Sequence, residues 1–355
     1  MSLISRRVRG GVAVQTLVVA VFLAAMSGII GGETVLLGML ALPQMLRLGY
    51  QDKLAIGVVC SGGALGTMVP PSIVLVLYGL VANVSIGDLF AAAVIPALIL
   101  AGFYIAYVLI RCWINPALAP IVVSDADDAA DGEAGGEQRK HRMPFVLRVG
   151  LPVFVAFCVL GSIYLGIASV TESACVGAAG MILSTMVRGE FTWPLLYDSL
   201  KQTIRTCGMI IWIGIGASAL IGVYSLMGGI RFIEALFLSI DLPAVGIVMV
   251  MMGILLVLGM FLDWVGIALL TMPVYIPIIQ KLGYDPVWFG VLFCINMQVS
   301  FLSPPFGPAA FFLKSVAPPE ITLNRIFASV WPFIMLQALV LAIVLFYPGI
   351  TEYLR

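Results

Sequence analysis

Two prolyl pairs, Pro70-Pro71 and Pro304-Pro305, interrupt long apolar stretches of the chain. Small and hydroxyl-bearing residues flank each, Gly66, Thr67 and Ser72 around the first and Ser300, Ser303 and Gly307 around the second, with Val69 and Phe306 directly beside the prolines. A proline inside a helix removes a backbone hydrogen bond and clashes with the preceding turn, at a cost of about 3 kcal/mol. Two in succession unwind the helix locally and free several carbonyls. Such backbone is tolerated in lipid only where it is buried in protein or lines a wet cavity. Freed carbonyls beside Ser and Thr hydroxyls make an oxygen-rich setting for a small hard cation. The half-helix that restarts after the break presents a positive dipole end suited to a carboxylate. Each break thus offers cation coordination and anion binding side by side. Ser and Thr in membrane helices also bond back to their own backbone, so no single hydroxyl decides the matter.

The two breaks belong to a repeat. Pro43, Gly49, Tyr50, Pro70 and Pro71 recur 234 residues later as Pro277, Gly283, Tyr284, Pro304 and Pro305, without insertions. In both copies an apolar hairpin runs to a Gly-Tyr turn, and the Pro-broken helix follows. The hairpin turns carry further candidates: Ser27, Gly28, Glu33 and Thr34 in the first, Gly259 and Asp263 in the second. Glu33 and Asp263 are the acids nearest the turns, and an ionisable group at membrane depth marks a functional site by default. Asn296 and Gln298 precede the second break and suit either ligand contact or interhelical hydrogen bonding. Paired Pro-interrupted segments in corresponding halves point to a transporter's binding site.

The elements that must position these residues are read as follows. A hairpin over 11–47, a broken helix over 54–80 and a helix over 88–110 form the first repeat, 1–114. A polar cytoplasmic loop occupies 115–143, its acidic and glycine-rich centre too polar to fold. Connecting or scaffold helices fill 144–242: spans over 145–167 and 171–187, a separate amphipathic segment near 190–205, a helix over 207–227 and a short interfacial segment near 230–240. The second repeat, 243–355, has a hairpin over 243–280, a broken helix over 286–314 and a last helix over 326–347.

Composition agrees with this reading. Of 355 residues, 62% are hydrophobic and 10% charged, against about 25% charged in a soluble domain. The formal net charge is zero, so nothing draws the chain to nucleic acid. The six cysteines lack metal-ligand or CxxC spacing, and the one histidine, His141, sits in the polar loop. No nucleophile–base pair, P-loop or GxGxxG is present, so the chain is expected to be no enzyme and to hold no catalytic or metal centre. Arg6, Arg7 and Arg9 precede an apolar stretch with no A-x-A site after it, so no cleavable leader is expected. Counting crossings places fifteen of the eighteen Lys and Arg residues on the cytoplasmic side and only Arg231, Lys281 and Arg355 outside. Five crossings separate the two hairpins, so they enter from opposite faces. The fold class expected is an all-α polytopic membrane protein, an inverted-topology repeat with two re-entrant hairpins and two Pro-Pro-broken helices.

The segments GYQDKLAIGVVCSGGALGTMVPPSIVLVLYG, SIGDLF, GIASVTE, GMFLDWVGIALLTMP and NMQVSFLSPPFGPAAFFLKSVAP closely resemble the large membrane subunit of tripartite ATP-independent periplasmic (TRAP) transporters, the DctM-like family. The resemblance covers nearly the whole chain outside 115–143. It implies a multi-pass protein of the bacterial inner membrane that imports small organic carboxylates by an elevator motion, with Na+ as coupling ion and no other cofactor. It also implies two partners, a small DctQ-like membrane subunit and a periplasmic DctP-like solute-binding protein. By motif, one Na+ site falls among Ser27, Gly28, Gly66, Thr67 and Val69, and a second among Gly259, Asp263, Ser300, Ser303 and Phe306. Substrate falls among Glu33, Thr34, Ser72, Asn296 and Gly307, near Thr67 and Ser303. C4-dicarboxylates, 2-oxo acids and sugar acids all remain open as substrates.

This chain departs from the family pattern in three places. Members of this type carry further N-terminal helices of the scaffold and first arm, so the chain is expected to be a fragment or to begin at a late start. The first turn has Ile29-Ile30-Gly31-Gly32-Glu33 where relatives place small and hydroxyl residues. GIASVTE has Ser169-Val170 where Thr-Pro is usual, read as a tolerated loop change. A stand-alone Na+/carboxylate symporter and an inactive N-terminally truncated remnant are the alternatives.

Overall fold

The computed structural model describes residues 9–28, 31–119, 145–239 and 241–354. The expected loop from 120 to 143, with His141, lies outside the described residues, as does the side chain of Ser27. Fourteen α-helices are described, and no strand occurs among the described residues. The first repeat contains α1 (Gly11–Ser27), α2 (Gly32–Arg47), α3 (Asp52–Ala64), α4 (Ile73–Ala82) and α5 (Ile86–Ile114). Four helices connect the repeats: α6 (Phe145–Tyr164), α7 (Val170–Val187), α8 (Trp193–Leu226) and α9 (Gly229–Leu238). The second repeat contains α10 (Ala244–Gly259), α11 (Trp264–Lys281), α12 (Pro286–Leu302), α13 (Pro308–Lys314) and α14 (Leu323–Phe346). Five of these, α5, α7, α8, α11 and α14, are long and apolar enough to cross a membrane. The chain is a multi-pass membrane protein built on an inverted-topology repeat.

The repeat is physical as well as sequential. Both hairpins end in the same left-handed turn: Gly49 (φ 77°) and Gly283 (φ 81°) follow α2 and α11. In each, the next amide reaches back across the final turn, Tyr50 N to Met45 O at 3.0 Å and Tyr284 N to Ile279 O at 3.1 Å. Only a residue without Cβ enters that conformation freely, which is why glycine stands at both places. Both Pro-Pro bonds are cis. α4 packs on α11, and its repeat mate α13 packs on α2, so the second half of each broken helix seats on the other repeat's hairpin.

Small residues let the backbones cross closely, as expected where lipid supplies no hydrophobic drive between helices. A Cβ on Gly57 would strike the Phe333 ring and lie 2.8 Å from Ser329 O of α14, and one on Gly290 of α12 would strike the Tyr78 ring of α4. The charged termini pair in the manner the crossing count implies. Arg325, assigned inside, bonds Asp52 at the start of α3, and Lys281, assigned outside at the end of α11, bonds Glu234 within α9.

Two expectations are corrected. The amphipathic segment near 190–205 and the helix over 207–227 are a single helix, α8, 34 residues long. The chain between them, Thr203-Ile204-Arg205-Thr206-Cys207-Gly208, contains no proline, and one interior glycine costs only about 1 kcal/mol, too little to break a helix. Ser169-Val170 is not a loop change: Ser169 is the N-cap of α7 and forms a capping box with Glu172, with Ser169 N donating to Glu172 Oε2 at 2.7 Å. Thr at the cap followed by Pro at the first helical position serves the same terminus, so the two sequences are equivalent there.

Candidate functional site

α3 gives way at Leu65–Thr67 to a 3-10 turn, the two prolines follow, and α4 restarts at Ile73. The carbonyls released by this change are met from within the protein. Ala64 O accepts from Thr67 Oγ1 at 3.0 Å and from Gln298 Nε2 at 2.9 Å. Ala64 and Gln298 are repeat mates, so this bond ties the two copies at their crossing. Thr67 O accepts from Ser72 Oγ and from Cys294 Sγ, the latter at 2.9 Å. Cys60, the repeat mate of Cys294, points its sulfur at Ala309 O, beyond the second break. Two cysteines with no metal spacing thus serve as weak donors to the interrupted backbone of the opposite repeat.

Ser72 stands at the N-cap of α4 and is buried, yet its hydroxyl turns back to Thr67 O. The first turn of α4 therefore has no side-chain cap. In the second break, Ser300 Oγ donates to Asn296 O at 3.1 Å and Ser303 Oγ donates to Val299 O at 2.8 Å. Asn296 Nδ2 donates to Met252 O of α10 at 2.9 Å. The side-chain oxygens of Asn296, Gln298 and Thr34 are buried without a hydrogen-bond partner.

Each hairpin tip leans on a break. At the end of α1, Gly28 adopts φ 60°, and a Cβ there would collide with Pro71 O. Its own carbonyl accepts from Ile73 N at 3.4 Å. Gly31, at φ 109°, sits beneath the Phe312 ring of α13, which a Cβ would meet at 3.0 Å. In the other repeat, Gly259 ends α10 against Ser300, whose hydroxyl fills the place of its missing side chain. Asp263 caps α11, accepting from Val265 N at 3.2 Å. The buried Glu33 carboxyl lies over Gly66, where a Cβ would come within 2.6 Å of Oε1, and Thr34 packs on Gly63.

These parts enclose a cavity of about 400 Å³. Its wall takes Gly28 from the first tip, Thr67, Ile73 and Val74 from the first break and restart, and Asp263, Trp264 and Val265 from the second tip. Phe301, Phe306, Pro308 and Phe312 come from the second break and α13, and Thr206, Met209 and Ile210 from α8. Of the residues singled out in the sequence, Gly28, Thr67, Asp263 and Phe306 share this wall. Glu33, Thr34, Gly66, Ser72, Asn296, Ser300, Ser303 and Gly307 are not among its lining residues, and several of them hold helix crossings together. The contribution of α8 was missed, because the separate segment read at 190–205 hid a helix reaching from outside both repeats.

The family model for the DctM component of the tripartite ATP-independent periplasmic transporters matches residues 4–350. Among similar proteins, the isethionate TRAP transporter permease protein DctMQ of Oleidesulfovibrio alaskensis is 29% identical over 352 residues, 97% of this chain and 52% of the relative. This chain therefore spans about half of that relative. The C4-dicarboxylate TRAP transporter large permease protein DctM of Vibrio cholerae is 28% identical over 375 residues, 98% of this chain and 78% of the relative. The fold is similar to that of the YdaH transporter of Alcanivorax borkumensis, with a TM-score of 0.59 at 14% identity, over 97% of this chain and 82% of that one. With the repeat, the two breaks and the shared cavity in place, the chain belongs to the DctM family, the large permease component of TRAP transporters.

Proposed function

We propose that this permease is Na+-coupled and imports small organic carboxylates across the bacterial inner membrane. A periplasmic solute-binding protein delivers the substrate, and a small membrane subunit flanks the scaffold. The observation that carries this reading is a cavity walled by both hairpin tips and both helix breaks. Asp263 is the single ionisable side chain among the described residues on that wall, and it supplies the cation's charged partner. Thr67 adds a hydroxyl oxygen, and the buried oxygens of Thr34, Asn296 and Gln298 lie in the crossings behind. The first turn of α4 has no side-chain cap; with Ile73 N held by Gly28 O, the N–H groups that follow and the positive dipole end, with Ile73 and Val74 on the wall, are offered to a substrate carboxylate. Isethionate and C4-dicarboxylates, named for the two similar permeases, are both small organic acids.

In this reading, the two interlocked repeats move as one body against α6 to α9, carrying cation and substrate together. α6 and α7 pair with each other and reach the repeats chiefly through α1 and α5, while α8 and α9 pack on α11, so the displacement would slide α11 along α8 and α9. The test is Asp263→Asn, assayed by uptake into proteoliposomes holding the full chain with its partners. Asparagine keeps the N-cap of α11 and removes only the charge. The expected result is a rise of at least about tenfold in half-saturating Na+, equivalent to ~1.4 kcal/mol. Unchanged Na+ dependence overturns the assignment of Asp263.

A further inference from the structure

The wall of the 400 Å³ cavity is apolar around most of its circumference: Ile73, Val74, Ile210, Val265, Phe301 and Phe312 are representative. No Lys, Arg, His, Asn or Gln occurs among the described residues that line it. Its two threonines are engaged, Thr67 Oγ1 donating to Ala64 O at 3.0 Å and Thr206 Oγ1 donating to Gln202 O at 3.1 Å. Its one charged side chain is an acid, Asp263, whose carboxylate already accepts from Val265 N. We infer that the cavity takes a monocarboxylate with an apolar body, such as a branched-chain or aryl carboxylate, in preference to a dicarboxylate or a polyhydroxy acid. This rests on the proposed reading of the cavity as the transport site, with the carboxylate at the start of α4.

Three physical arguments converge. A second carboxylate would face either hydrocarbon or Asp263, whose charge already matches that of the single coupling cation, and a charge left unpaired in such surroundings is strongly disfavoured. A sugar acid would surrender the hydration of several hydroxyls to a wall with few partners to return. An apolar body gains from the same wall, by about fourfold in affinity per buried methylene. The volume stands toward the small end of the roughly 300–1,000 Å³ typical of small-molecule sites, so the gain stops once the body fills it.

Binding to the purified full chain in detergent tests this without the solute-binding protein. Thermal stabilisation is titrated in NaCl and in choline chloride with 2-oxobutyrate, 2-oxopentanoate, 4-methyl-2-oxopentanoate, succinate and gluconate. The expected result is Na+-dependent stabilisation by the 2-oxo acids, tightening about fourfold per methylene. 4-Methyl-2-oxopentanoate should act at concentrations at least tenfold below succinate or gluconate. Met209→Arg, which adds a cation to the wall from α8, should bring succinate to within about threefold of 4-methyl-2-oxopentanoate. Na+-dependent binding of succinate or gluconate as tight as that of the 2-oxo acids overturns the inference and leaves the transport site standing. No Na+-dependent binding of any of the five overturns both.

Discussion

Gly28 offers a contained test of how the first hairpin tip and the first break cooperate. It adopts φ 60°, and the Cβ of an alanine there would overlap Pro71 O. Gly166, after α6, adopts φ 65° with nothing within 4 Å of the equivalent position. Both Gly→Ala changes carry the left-handed penalty of about 1–2 kcal/mol. Gly28→Ala alone adds an overpacking cost of about 1–3 kcal/mol, which is relieved only if tip and break separate. If cation binding requires them together, that extra cost falls on the bound state. It should appear as a rise of about 5- to 160-fold in half-saturating Na+. The assay compares both variants by thermal unfolding and by Na+-dependent uptake in the same proteoliposomes. Gly166→Ala should lose stability but keep its Na+ response, while Gly28→Ala should lose both. Equal behaviour of the two would refute the argument that the Gly28–Pro71 contact is part of the site.

Further expectations follow from single contacts. Cys294→Ala removes one of the two donors to Thr67 O and should cost about 1 kcal/mol in denaturant unfolding; Cys294→Ser, which keeps a donor, should recover most of it. Ser169→Ala should destabilise α7 by about 1 kcal/mol, and Ser169→Thr should restore it, read by the same unfolding assay. In a background without native cysteines, Lys53→Cys and Lys281→Cys, both exposed, should react with an impermeant maleimide from opposite faces. Labelling of both from one face would contradict the inverted topology.

Much of the architecture was legible in the chain itself. Apolar segments too long and too uncharged for a soluble fold fixed the class, because lipid tolerates only self-satisfied backbone. The doubled Gly-Tyr and Pro-Pro signals marked the repeat, since glycine's left-handed turn and proline's missing N–H are local properties that no distant contact is needed to impose. Charge on the loops gave the parity between the hairpins. The placement of the candidate residues was another matter. The sequence singled out Ser72, Asn296, Ser300 and Ser303 by type and nearness to a break; all four are bonded to carbonyls, and none is among the residues lining the cavity. Which hydroxyl turns inward depends on the carbonyls left open nearby, and those depend on which helix crosses.

The partners of the broken backbone came from 227 to 234 residues away, as Cys294 and Gln298 do for Thr67 and Ala64. Helices that are apolar all round carry no stripe to tell which face meets which neighbour. For the same reason, only the tertiary structure could bring Thr206, Met209 and Ile210 of α8 to a wall shared by both repeats. Local chemistry wrote the hairpins, breaks and turns into the sequence; the crossing of one repeat over the other decided which of their atoms face the cavity.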